Sequence, residues 1–175
     1  MTYKRLFLFV EGNDDERLIN AVFVPLFEAK YDKIIVYKYE ERESTLKALF
    51  KSFQDDYLFF CDFDSKGDPS FCTTRRKEKE LEKYPFLDNH RIIVVKEVIE
   101  SWYLAGIAAA NYKKWKLKAL SDTTSISKNQ FNQLVPKGFN RTDFKVEIIR
   151  QFSRVEGIER NQSLQYFNQR VENWL

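Results

Sequence analysis

Acidic residues end three separate apolar runs in this 175-residue chain. Glu11 follows Arg5-Leu6-Phe7-Leu8-Phe9-Val10, Asp62 and Asp64 close the run Tyr57-Leu58-Phe59-Phe60-Cys61, and Glu97 and Glu100 come after Ile92-Ile93-Val94-Val95. If the backbone stays extended, Asp62 and Asp64 point the same way and can share one cation. Carboxylates gathered this closely repel, so either some take up protons or a cation neutralises them. At neutral pH the cation is the simpler remedy. His90 is the single histidine and Cys61 and Cys72 are the only cysteines, so neither a Cys/His zinc site nor a disulfide framework can be assembled. An all-oxygen donor set suits Mg²⁺, Mn²⁺ or Ca²⁺. Such ions polarise phosphoryl oxygens and stabilise a leaving alkoxide, which points to phosphate chemistry. The tight Glu11-Gly12 turn would let a phosphate or a metal approach the backbone.

The elements that must position these carboxylates alternate along the chain. The continuous apolar run of residues 5–10 predicts a strand covered on both faces. From Asn13 or Asp14 a helical spacing follows through Leu18, Ile19, Val22, Phe23 and Leu26, with Pro25 bending or ending it. Ile34-Ile35-Val36-Tyr37 predicts a second strand, and Ser44 opens a helix through Leu46, Leu49, Phe50 and Phe53. The third strand ends in Asp62-Phe63-Asp64, and a loop through Ser65-Lys66-Gly67-Asp68-Pro69 leads to a charged helix reaching about Tyr84. Residues 92–95 supply the fourth strand. Beyond Ser101 the pattern predicts helices over Trp102–Leu120, Lys128–Val135, Asp143–Phe152 and Ser163–Leu175. The fold class is therefore α/β: a mainly parallel four-stranded sheet with helices on both faces, plus a C-terminal helical extension. The expected division is residues 1–108 for the α/β domain and 109–175 for the extension packed on it. In open parallel sheets the crevice lies at the carboxyl ends of the strands, where the acidic residues fall.

Other features carry less. The net charge of +3 gives no global basic field, so nucleic-acid binding would need a local cluster. Arg75, Arg76, Lys77 and Lys79 follow the Asp62-Phe63-Asp64 loop and could track a nucleic-acid backbone, but the interleaved Glu78, Glu80 and Glu82 favour a solvated helix over a basic patch. Lys66 either contacts a phosphate or faces water. Asp14, Asp15 and Glu16 could simply complement a helix dipole. Trp102, Tyr103, Tyr112 and Trp115 recur at helical intervals, as core residues do. The apolar stretch near the N-terminus is too short for a secretory signal or a membrane span, and the cysteine usage suits a cytoplasmic protein.

The segment "FVEGNDDERL", followed by "YLFFCDFDS", resembles the Toprim signature, in which a glutamate ends the first strand and a DxD motif ends the third. The likeness covers roughly Lys4 to Gly106. Within that superfamily, "VVKEVIESWYLAG" resembles the overcoming-lysogenization-defect (OLD) nucleases and the related small abortive-infection, RloB-like proteins. The resemblance implies metal-dependent phosphodiester hydrolysis in DNA or RNA, in repair or phage defence, with Mg²⁺ or Mn²⁺, as two ions. It makes Glu11 a metal ligand or general acid/base, Asp62 and Asp64 ligands of the principal ion, Asp15 and Glu100 ligands of the second, and Lys145 or Lys137 the lysine that stabilises transition-state charge. OLD nucleases carry an ATPase domain; this chain has no P-loop signature, so the resemblance implies a separate ATPase subunit. Lys66 stands where topoisomerase and primase versions keep a third acid, which argues against those activities.

Two alternatives remain open from the residues. "FFCDFDS" imitates the nucleophile strand of haloacid-dehalogenase-type phosphatases, although that nucleophile ends a first strand and here the motif ends the third. A non-catalytic subunit that binds nucleic acid or a partner protein is the other. Oligomeric state is not legible in the sequence.

Overall fold

The computed structural model describes residues 3–40, 43–50, 53–63, 65 and 72–174. The chain divides into two compact units, Met1–Val94 and Val95–Leu175. The sequence pattern puts the division after residue 108; the structure puts it at the end of the fourth strand, because the helix that follows packs against later helices.

The first unit is the α/β part. Strands β1 (Arg5–Val10), β2 (Lys33–Lys38), β3 (Asp56–Asp62) and β4 (Ile92–Val95) form one sheet in the order β2-β1-β3-β4. β1 runs parallel to both neighbours, pairing Leu6 with Ile34 on one side and with Asp56 on the other. Helices α1 (Asn13–Leu18), α2 (Glu43–Phe50) and α3 (Thr73–Lys83) occupy the connections, as a parallel sheet requires. β1 is buried at every residue but Arg5, β3 at all but its two ends, and β4 throughout, which is why their sequences are continuous apolar runs. Pleating sends Phe7, Phe9, Tyr57, Phe59 and Cys61 to one face, where they meet Leu46, Tyr84 and Leu87, with Phe50, Phe53 and Phe86 packed against them. Each fully buried side chain of this size contributes about 2–3 kcal/mol. α1 continues as a π turn (Ile19–Phe23) and a 3₁₀ turn (Val24–Leu26), where Pro25, lacking an amide hydrogen, ends it.

The second unit is helical: α4 (Glu100–Ala105), α5 (Ala109–Lys114), α6 (Lys128–Leu134), α7 (Arg141–Arg150), α8 (Arg154–Arg160) and α9 (Gln162–Trp174). The single helix expected over Trp102–Leu120 is broken after Ala105. A Cβ on Gly106 would lie 2.1 Å from the ring of Phe152, and Ile107 makes an antiparallel bridge to the same residue, so the chain leaves the helix to pass close beside it. α8 falls in a stretch where the sequence pattern gives no separate helix. Trp102, Tyr103, Tyr112 and Trp115 are all buried, as core residues, with Trp102 stacked on Phe167 and Trp115 edge-on to Phe144. Asn161 is the polar hub: its amide donates to Ser101 and Thr123 while its oxygen accepts from Ser163 N, Ser163 Oγ and Leu164 N at the start of α9. Among the described residues no helix is long and apolar enough to cross a membrane.

Candidate metal centre

The first unit brings Glu11 and Asp62 together. Because β1 and β3 are parallel and in register from Leu6 opposite Asp56 to Phe9 opposite Phe59, both strands deliver their carboxyl ends to the same edge of the sheet. Glu11 turns across the gap, and its Oε1 accepts the Asp62 backbone N–H at 2.9 Å. Tyr39, held beyond β2 by its own N–H donating to Val10 O at 3.0 Å, adds its hydroxyl. That proton is shared between Phe60 O at 3.1 Å and Glu11 Oε1 at 3.2 Å, and the ring stacks on Phe59.

Arg76, one turn into α3, reaches the same point. Its Nε donates to Asp62 O at 2.6 Å, its Nη2 lies 3.5 Å from Glu11 Oε1, and its Nη1 donates to Glu80, four residues on along the helix. Sequence reading offers Arg76 to a nucleic-acid backbone; the structure spends its guanidinium on protein oxygens. Arg75 and Lys79, offered with it, are exposed on α3. Asp64 and Lys66, with the Gly67-Asp68-Pro69 turn, lie outside the described residues.

Burial pushes the Glu11 carboxyl above its ordinary value. The Asp62 N–H pulls the other way, nearby Glu40 pushes it further up, and Arg76 and Tyr39 hold it down. The net result is a carboxyl above its ordinary value, its charged form disfavoured by burial more than Asp62 N–H, Arg76 and Tyr39 favour it. Burial, reinforced by Glu11, raises the Tyr39 phenol well above its usual range, so Tyr39 remains a hydrogen-bond donor. The buried Cys61 thiol is likewise pushed up by burial and stays protonated, which removes it as a nucleophile.

Asp15 lies near Glu11 in sequence and is buried, but its Oδ2 accepts the Gly12 N–H at 3.2 Å in a capping arrangement at the start of α1. Asp14 pairs with Arg17 and Glu16 with Lys38, which fits the helix-dipole reading of that acidic turn. Among the described residues no three of His, Cys, Asp and Glu gather closely enough to enclose an ion. What Glu11 meets is the backbone N–H of Asp62, and both residues end adjacent strands and carry carboxylates, a donor chemistry that fits a hard divalent cation.

No family model and no curated protein matches the sequence. Among solved structures, the C-terminal region of the Burkholderia pseudomallei OLD protein is similar, with a TM-score of 0.56 and 15% sequence identity over 97% of this chain and 100% of that one. The fold is OLD-like. At that identity the likeness speaks for the fold alone.

The second unit carries the remaining candidates. Glu97 follows β4 with φ 55, in the left-handed region that side chains other than glycine seldom adopt. Glu100 opens α4, and Lys145 sits in the middle of α7. Lys145 Nζ donates to Glu100 Oε1 at 2.8 Å, with the side chains 0% and 3% exposed. The rings of Phe131 and Tyr103 stand 5.1 and 5.5 Å from the ammonium. Lys137, the other late lysine, is exposed in the Pro136-Lys137-Gly138 turn. Sequence reading picks Glu100 and Lys145 separately and misses that they pair. It also misses Tyr39 and Glu80; the only signal for Glu80 is its i, i+4 spacing from Arg76.

Proposed function

We propose that this chain is a metal-dependent nuclease of the Toprim and OLD type, hydrolysing phosphodiester bonds in DNA or RNA. The observation that carries the reading is the bond from Asp62 N–H to Glu11 Oε1, which joins two acidic strand ends at the carboxyl edge of a parallel sheet. The bonds described to Glu11 all fall on Oε1, so Oε2 would be the oxygen offered to the ion. In the first unit Asp62 and Asp64 would hold the principal ion with Glu11, and Asp15 would be a further metal ligand; in the second unit Glu100 would be a metal ligand. Mg²⁺ or Mn²⁺, when bound, would polarise the phosphoryl oxygens and stabilise the leaving alkoxide. Lys145 would stabilise charge that develops in the transition state. Arg75, Lys79 and Lys66 would contact the phosphate backbone of the substrate. A separate ATPase subunit, a cytoplasmic location and a part in DNA repair or phage defence, as in the RloB-like proteins, belong to the same proposal.

The test is cleavage of single- and double-stranded DNA and RNA by the purified protein with Mg²⁺ or Mn²⁺. Cleavage should disappear in EDTA and in the Asp62→Asn variant. A protein that ignores all four polymers but hydrolyses a generic phosphomonoester would instead be a phosphatase using Asp62 as its nucleophile.

A further inference from the structure

On α3, Arg76 reaches the strand ends, and the helix supplies it with an anchor. Glu80 is buried, although α3 is otherwise one of the most highly charged segments of the chain. Removing a charged pair from water costs several kcal/mol per ion unless further hydrogen bonds compensate. Here they do: Arg76 donates to Glu80 through Nη1 and to Asp62 O through Nε, and brings Nη2 against Glu11. One rigid fork thereby ties together α3, the end of β3 and the carboxylate that ends β1. A lysine would keep the charge but could not span three acceptors in fixed directions.

We infer that Arg76 is a positioning residue, anchored by Glu80, that fixes the Glu11 carboxylate against the end of β3 in the orientation needed to receive a divalent cation. The inference rests on the reading of Glu11 as a metal ligand, and its sign is open to direct contradiction. If Arg76 only added positive charge near the ion, removing it would tighten metal binding. If it positions Glu11, removing it weakens binding despite the relief of repulsion.

The experiment compares the full chain with Arg76→Lys, Arg76→Ala and Glu80→Gln by two readouts: hydrogen exchange of the Asp62 amide in EDTA, followed by NMR, and the Mn²⁺ dissociation constant. In Arg76→Lys the Asp62 amide, whose acceptor is Glu11 Oε1, should exchange about tenfold faster, while the buried amides of Leu58 and Phe59 within β3 hold their rates. The Mn²⁺ dissociation constant should rise about 10–100-fold, the usual cost of losing a group that orients a ligand. Glu80→Gln should move both readings the same way by less, which keeps the test decisive if Arg76→Ala fails to fold. Unchanged Asp62 exchange in Arg76→Lys, faster exchange throughout β3, or tighter Mn²⁺ binding in Arg76→Ala would each overturn the inference. Wild-type protein that binds no Mn²⁺ would remove the metal-ligand reading of Glu11 and with it the role assigned to Arg76, whereas the amide rates in EDTA would still show whether Arg76 fixes Glu11.

Discussion

Replacing Lys145 by methionine isolates the buried ion pair of the helical unit. Methionine nearly matches the lysine stem in length and flexibility, so little cavity is created. What changes is charge: the Glu100 carboxylate, 3% exposed, loses the ammonium 2.8 Å away. Stripping one partner from a buried pair costs about 3–5 kcal/mol. At roughly 2–4 °C per kcal/mol for a protein of this size, Tm should fall by about 6–20 °C. Trp102, Trp115 and Trp174 all lie within Val95–Leu175, so tryptophan fluorescence during urea unfolding reports on that unit. A Glu100→Leu/Lys145→Met double variant should recover most of the loss, because a buried pair replaced by apolar groups of similar volume is often neutral or stabilising. Both groups are assigned catalytic roles, so the double variant should be stable and inactive. A Lys145→Met cost below about 1 kcal/mol, or strict additivity of the two single changes, would refute the reasoning.

Two further outcomes follow from the geometry. Gly106→Ala would drive a methyl group into Phe152 at 2.1 Å, and urea unfolding should show a loss of about 1–3 kcal/mol; a neutral result would mean that the ring swings aside at no cost. The Glu11 carboxyl is raised above its ordinary 4.5, so between that value and its higher folded value the native state binds more protons than the unfolded state. In EDTA, stability should therefore fall as pH rises above about 4.5, and Glu11→Gln should flatten that slope; identical Tm-against-pH curves for the two proteins would exclude Glu11 as its source.

The strands were legible because parallel strands covered on both faces must be written as continuous apolar runs. Residues 5–10 and 92–95 are strands in the structure as in the sequence pattern, and the runs beginning at Ile34 and Tyr57 differ by a residue or so at each end. The break after Ala105 was not legible, since it depends on Phe152, which is distant in sequence and close in space. The meeting of Glu11 with Asp62 follows from topology, because acids that end neighbouring parallel strands share an edge. The inward turn of Arg76 does not follow in the same way. Alternating charges on α3 read as a solvated face, and only the position of Asp62 O and Glu11 decides which arginine is drawn in. Glu100 and Lys145 were recognisable one at a time, but a pairing across 45 residues has no sequence signature.

The most direct measurement is anomalous scattering from crystals soaked in Mn²⁺. The account predicts a manganese peak about 2.0–2.4 Å from carboxylate oxygens of both Glu11 and Asp62, the span of hard-cation contacts to oxygen, and no such peak in Glu11→Gln crystals. Manganese bound elsewhere, with Glu11 and Asp62 making only protein contacts, would contradict it.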